Sequence, residues 1–316
     1  MKTVDLVIPC YNESEMIDMF FQRTQKVISQ INGYQFTFIF VDDGSNDDTL
    51  IKIKELGENQ KNIRYISFSR NFGKEAAMYA GIKASTGERL AIMDADLQHP
   101  PELLGEMLKA IDKEGYDSCG ARRVNRKGEP KIRSGFARLF YKLMNRFSDV
   151  DIIDGAVDFR MMTRQMVNAI LDMPEVKRFS KGIFSWVGFS TKWVEFANEK
   201  RVAGESNWSF WSLLRYAMDG LLDFATFPLK FFAGMGGVAA TAAFVYLVIE
   251  IIKTLAFGKD VPGYASLISV ILFIGGLIIM TLSLMGEYLA RMYMEVKRRP
   301  IYIEKESNME KEVYEK

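Results

Sequence analysis

At 316 residues, 48% of them hydrophobic, with a formal net charge of +1, the chain can hold one large domain or two ordinary ones. It has no global field that would recruit nucleic acid or an acidic partner. Two cysteines, Cys10 and Cys119, and one histidine, His99, exclude a disulfide framework and a zinc or His cluster, and restrict any Ser-His-Asp triad to that histidine. The cysteine usage suits a reducing compartment. The chain opens on a strand-like run, Met1 to Ile8, instead of the charged segment and long apolar run of an export signal.

Apolar runs at 4–8, 36–41, 63–68 and 89–93 read as buried strands, and amphipathic segments at 14–31, 47–57, 74–84 and 101–113 read as helices between them. Such alternation predicts an α/β domain with a mostly parallel sheet over residues 1–228, whose ligands bind beyond the carboxyl ends of the strands. Polar residues gather at those ends. They are Pro9, Tyr11, Asn12 and Glu13 after the first strand, Asp42, Asp43, Gly44 and Ser45 after the second, and Arg70, Asn71 and Lys74 after the third. Taken singly each group is a turn or a cap, Asn12 with Glu15 as a capping box and Asp43-Gly44 as ordinary turn chemistry. Together they describe a crevice that could take a nucleotide, with Asp43 accepting from base or ribose and Arg70 and Lys74 facing phosphate.

The fourth strand runs into RLAIMDADLQHPPE, residues 89–102. An extended backbone sends residues i, i+2 and i+4 to one side, so strand geometry continued past Met93 would converge Asp94, Asp96 and Gln98. Two readings are open: a hard divalent cation, Mg²⁺ or Mn²⁺, held by these oxygens, or a solvated acidic turn capping the helix after Pro100. Neither a G-x-G-x-x-G after the first strand nor a G-x-x-x-x-G-K-[ST] is present, so a bound diphosphate would need another counter-charge, which a metal on Asp94 and Asp96 would supply. DDGSNDD fails the spacing of an EF-hand loop.

Farther along, IRSGFARLFYKLMNRF at 132–147 puts its apolar residues on one helical stripe and Arg133, Arg138, Lys142 and Arg146 on the remainder. This pattern predicts a helix lying in a membrane interface, with a helix packed on the sheet as the alternative. A second interfacial helix is expected at 208–224. The composition changes near residue 228: nineteen residues from Phe231 to Ile249 and the stretch from Tyr264 to Gly286 contain no charge. Two transmembrane helices, about 231–254 and 264–288, form a hairpin within 229–290, the other reading being two buried helices of a soluble protein. Glu250 and Glu287 sit at the expected interfaces, and the glycines of the spans suit helix packing and permit self-association. Arg291 and Lys297 to Arg299 follow the second span and predict a cytoplasmic side for the large N-terminal part and for the tail at 291–316. From Glu304 onward the tail is highly charged and is expected to be frayed or helical.

Six stretches, IPCYNE, VDDGS, SRNFGKEAA, MDADLQHPPE, DGAVDFRMM and RVAGESNWSF, together resemble the ordered signatures of family 2 glycosyltransferases of the Rossmann-like GT-A fold. The match is nearest to the membrane-bound polyprenyl-phosphate branch, and the two C-terminal spans extend it over essentially the whole chain. The resemblance implies that Asp94, Asp96 and Gln98 hold the Mg²⁺ or Mn²⁺ that bridges a nucleotide diphosphate, with Pro9, Tyr11, Glu13 and Asp43 around the nucleoside. It places Asp158 beside the reacting centre, with Asp96 as the other catalytic carboxylate. Val157 replaces the glycine usual before that aspartate. Arg201 and Ser206 either close over the diphosphate or form a structural turn. The Q-x-x-R-W motif of processive synthases is missing, which implies a single transfer. An anionic lipid acceptor such as undecaprenyl phosphate needs a positive dock, for which Arg122, Arg123 and Arg133 are candidates.

The implied reaction is inverting transfer of glucose or N-acetylglucosamine, with a leaning to the latter that no residue explains, from a UDP-sugar to undecaprenyl phosphate at the cytoplasmic membrane face. A lipid-linked sugar made there implies a flippase and a downstream membrane glycosyltransferase as partners. A GDP-mannose-dependent mannosyltransferase, a phosphosugar transferase and a non-catalytic binding subunit are the alternatives.

Overall fold

Four strands, β1 (Lys2–Cys10), β2 (Tyr34–Asp42), β3 (Ile63–Phe68) and β4 (Arg89–Ile92), lie parallel in the order β3-β2-β1-β4. They belong to a computed structural model that describes residues 1–124, 153–197, 227–257 and 263–309. Helices α1 (Ile17–Ile28), α2 (Thr49–Asn59) and α3 (Lys74–Ala84) make the crossovers, close to the segments expected from periodicity. Strands buried on both faces read as near-continuous apolar runs, and β1 shows why. Its Leu6 and Ile8 join the core under α1 and α2, while Val7 packs with Ile39, Val41 and the residues of α3.

Almost every side chain of α3 beyond its first turn is buried, including Ala76, Ala77, Ala80 and Ala84. Small residues let this helix lie tightly on the sheet; a Cβ at Gly81 would overlap Val7 Cγ1. The amino end of α3 is thereby fixed over the carboxyl end of the sheet. The chain then returns through β4 on the far side of β1, so strand order reverses between β1 and β4, the switch point beyond which open α/β sheets bind ligands.

The remaining strands depart from the parallel pattern. After α4 (Leu103–Asp112), β5 (Ser118–Arg123) pairs antiparallel with β6 (Ala156–Thr163), which is inserted between β5 and β4. Helices α5 (Arg164–Leu171) and α6 (Ser180–Trp186) follow, and β7 (Thr191–Phe196) lies parallel to β5 at the edge. The sheet stays mostly parallel, four of its seven pairings being so.

Helices α7 (Phe227–Phe257) and α8 (Tyr264–Val296) contain windows of mean hydropathy 1.4 and 2.1 with none of either window buried in the protein. Both are long and apolar enough to cross a membrane, and they touch each other. They exceed the expected spans, and α8 runs on past Gly286 to end on the α/β domain: Glu295 Oε1 accepts from the backbone N–H of Val176 at 2.9 Å.

Residues 304–307 correct the expectation of a frayed or helical tail. They form β8 (Glu304–Ser307), antiparallel on the free edge of β3. Packing and hydrogen bonding outweigh local composition here. Tyr302 stacks on Phe68 at 4.7 Å, Asn308 Oδ1 accepts from Tyr65 N at 2.8 Å, and Lys54 pairs with Glu306 at 2.6 Å. The strand also covers an edge that would otherwise expose unpaired main chain. The expected interfacial helices at 132–147 and 208–224 lie outside the described residues.

Candidate active site

The loops after β1 and β2 are tied to each other mainly through main-chain groups. Asn12 N donates to Ser45 Oγ at 2.9 Å, Asn46 N to Asn12 Oδ1 at 2.9 Å, Glu13 N to Thr49 Oγ1 at 2.8 Å and Ser14 N to Asp47 Oδ2 at 3.1 Å. Asn12, at φ 54°, therefore bridges two loops and does not cap α1, whose N-cap is Met16. Asp43 sits where β2 ends, its N–H donating to Cys10 O at 2.9 Å. Its carboxylate accepts from Phe72 N at 2.6 Å and Gly73 N at 2.9 Å, which draws in the third loop. Burial pushes the Asp43 carboxyl up to about 6 despite these two donors. Gly44 has φ 68°, and a Cβ there would lie 2.5 Å from the Arg70 carbonyl carbon. Arg70 stacks on Phe72 at 4.0 Å and donates to Asn71 O, so its guanidinium rests against its own loop.

The Asp94 segment corrects the extended geometry expected of it. β4 stops at Ile92 and the chain turns, with Leu97 at φ 53°. The alternation survives in another form: Ala95, Leu97 and His99 are buried, whereas Asp94, Asp96 and Gln98 are half-buried. Asp96 Oδ1 accepts from Gln98 N at 3.1 Å, an Asx turn that shapes the loop. His99 stacks near Phe159 and meets Phe196 edge-on; its Nδ1 has no hydrogen-bond partner and lies 3.6 Å from Asp94 Oδ2. Burial, opposed by the neighbouring carboxylates, holds this imidazole below its ordinary value.

Three of the expected site residues meet directly. Lys74 Nζ lies 2.6 Å from Asp94 Oδ1 and 2.6 Å from Asp158 Oδ2. It thus joins the loop after β4 to β6 instead of pointing at open solvent. Burial would raise Asp158, but Lys74 and Lys181 outweigh it and hold that carboxyl well below the usual range. The same carboxylates keep Lys74 charged well above the usual lysine value against its own burial. Two residues along the strand, on the same face as Asp158, the buried Arg160 stacks between Phe184 at 4.6 Å and Trp193 at 5.2 Å. Burial, offset in part by Asp158, pushes this guanidinium down to about 10.

The donor set fits a divalent cation. Asp94, Asp96 and Gln98 are half-buried oxygen donors within one turn, and Asp94 already holds a positive group. Among the described residues no three His, Cys, Asp or Glu side chains form a closed cage. A cation bound here would take its remaining ligands from water and substrate phosphate, the usual manner of Mg²⁺ beside nucleotides.

Other expected residues are not brought to this point. Arg122 donates to Asp154 O at 3.1 Å and lies 3.8 Å from Glu195, at the end of β5. Arg123 continues that strand, its N–H donating to Gly155 O. Arg133, Arg201 and Ser206 lie outside the described residues. Lys181, Glu75 and Glu295 were missed. Lys181 acts on Asp158 from the first turn of α6. Ser180, beside it, is bonded through N and Oγ to Glu75 of α3. A signal existed: a lysine in the first turn of a helix opposes the macrodipole, and both Lys74 and Lys181 stand there.

The sequence profile described as glycosyl transferase family 2 matches residues 5–171, and that of the GtrB C-terminal hairpin matches residues 227–292. The putative glycosyltransferase CsbB of Bacillus subtilis is 44% identical over 97% of this chain and 92% of its own length. The prophage bactoprenol glucosyl transferase homolog of Escherichia coli is 38% identical over 95% and 97% respectively. The bactoprenol glucosyl transferase of Shigella phage SfII is 38% identical over 96% and 98%. With the matched profile spanning the reversed-order sheet and its crevice, and with these relatives aligned from end to end, the chain belongs to glycosyl transferase family 2.

Proposed function

We propose that this glycosyltransferase moves one sugar from a UDP-sugar to the phosphate of a polyprenyl phosphate, undecaprenyl phosphate in a bacterial membrane, at the cytoplasmic face. One observation carries the reading: the carboxyl edge that bears Asp43, Lys74, Asp94 and Asp158 is the edge where α8 ends. Ser69 N, just past β3, donates to Ile303 O at 3.0 Å, and Glu295 grips the loop leading to α6. A crevice suited to a nucleoside diphosphate is therefore tied to a helix able to span a bilayer, so an acceptor embedded in lipid is the economical partner. Two relatives named for bactoprenol glucosyl transfer support the acceptor and a hexose donor, glucose or N-acetylglucosamine, both of which suit the family resemblance. Basic residues Arg291 and Lys297 to Arg299 support the cytoplasmic orientation.

The chemistry follows from the charges. Asp43 and the knitted loops hold the nucleoside. Bound at Asp94, Asp96 and Gln98, Mg²⁺ or Mn²⁺ would supply Lewis-acid neutralisation of the departing diphosphate. The acceptor is a phosphate monoester with a second pKa of about 6, so at neutral pH it is mostly a dianion and needs little deprotonation. Asp158, held ionised by Lys74 and Lys181, orients the acceptor side and does not take up a proton. An acceptor oxygen forms the bond to the anomeric carbon as the bond to the diphosphate oxygen breaks, and one displacement inverts that carbon.

The test is the purified full chain in detergent with undecaprenyl phosphate and a panel of UDP- and GDP-sugars. UDP release with a lipid-monophosphate sugar is expected. UMP release with a lipid diphosphate would replace this reading by phosphosugar transfer.

A further inference from the structure

Lys74 stands where the local helix disfavours it and yet pairs two carboxylates of the site at once. It opens α3, where a positive charge is disfavoured by the helix dipole, yet it is only 35% exposed and makes two ion pairs of equal length. Its partners come from different parts of the sheet, the turn after β4 and the strand β6. The two bonded oxygens can be no farther apart than twice the 2.6 Å bond. Asp94 presents its other oxygen to His99, so both of its oxygens face polar groups of the protein. A divalent cation arriving at Asp94 must meet this ammonium at close range, and two cations cannot share one carboxylate oxygen without strong repulsion.

We propose that Lys74 is a resident counter-ion of the cation site: it clamps Asp94 to Asp158 beforehand, yields Asp94 when a divalent cation binds, and stays on Asp158. This rests on the metal-dependent reading above and sharpens it. Lys74 becomes a positioning residue whose charge lowers cation affinity while keeping the acceptor-side carboxylate close to the donor side. Asp94 passes from a monovalent ammonium to a divalent cation and is never left without a positive partner. Lys181 acts on the same Asp158 from α6 and serves as the control for a general field effect.

The test measures Mn²⁺ binding to the full-length protein in detergent, by electron paramagnetic resonance of free Mn²⁺, with and without UDP. Lys74→Met is expected to bind Mn²⁺ about tenfold more tightly than the wild type, while its turnover falls. Lys74→Arg is expected to stay within threefold of wild type in affinity, and Lys181→Met likewise. Should Lys74→Met fail to fold, Lys74→Gln, which can still hydrogen-bond both carboxylates without charge, carries the same expectation. Unchanged or weaker Mn²⁺ binding in a folded uncharged variant overturns the proposal alone, as does equal tightening in Lys181→Met, which would mark a general field effect. A wild type that binds neither Mn²⁺ nor Mg²⁺ in the presence of UDP overturns both the proposal and the metal-dependent reading beneath it.

Discussion

The two sides of the crevice are built by different means. On the side of β1, β2 and β3, main-chain N–H groups do the fixing: Asn12, Glu13, Ser14, Asn46, Phe72 and Gly73 each donate to a side chain of a neighbouring loop. On the side of β6 and α6, charged side chains meet directly, with Lys74 between Asp94 and Asp158 and Lys181 acting on Asp158. Geometry set by main-chain bonds is rigid before any ligand arrives. Geometry set by ion pairs can rearrange when another charge enters. Under the proposed reaction, the first side would hold the nucleotide in a fixed slot and the second would admit a cation and the acceptor phosphate.

The largest effects should separate the two sides. Asp158→Asn is expected to lower kcat by about 10³-fold while leaving the KM for the nucleotide sugar within twofold; an equal loss in KM would show that the sides act as one. Asp94→Asn should match it in kcat and also weaken Mn²⁺ binding.

A pH profile addresses the slot. Folded Asp43 keeps its proton up to about pH 6, whereas the unfolded chain releases it near 3.8, so the folded state binds more protons between those values. Stability therefore falls as pH rises through that window, and the cost is fully present above it. Nucleotide affinity should move the other way, weakening up to about tenfold per pH unit below 6 as the acceptor oxygen is lost. Calorimetric titration with UDP would check this, and Asp43→Asn should flatten the profile.

Gly44→Ala should destabilise the fold by about 2 kcal/mol or more, from the left-handed backbone and the overlap with Arg70. Thermal unfolding should show the loss in the ligand-free protein as fully as with UDP, because these loops are already held by their hydrogen bonds; a loss confined to the UDP-bound form would show that the slot forms only on binding. Smaller still, Tyr302→Ala should cost about 1–2 kcal/mol through lost stacking on Phe68. Lys54→Met, at the partly exposed pair with Glu306, should stay within about 0.5 kcal/mol.

Much of the side formed by β1, β2 and β3 was legible in the sequence because it is local. Apolar runs set β1 to β4, and the polar residues at their ends fall on one edge whatever the detailed turn. The Asp94 segment shows the limit of that logic: the alternation of exposed and buried residues was right, but an Asx turn and a left-handed Leu97 produce it, not a continued strand. The side of β6 and α6 was less legible because its contacts join residues distant in sequence, Lys74 with Asp158 and Glu75 with Ser180. β8 was hidden for a related reason. Glu304 to Ser307 is charged and short, and only the open edge of β3, with Phe68 waiting for Tyr302, makes it a strand.

That edge strand also constrains biogenesis. Translation delivers β8 after both hydrophobic helices, so the sheet emerges from the ribosome with one margin uncapped and gains its last strand only once the hairpin has been made. Synthesis of the two apolar helices and completion of the sheet are therefore successive, and a chain stalled between them would present a sticky margin to its neighbours.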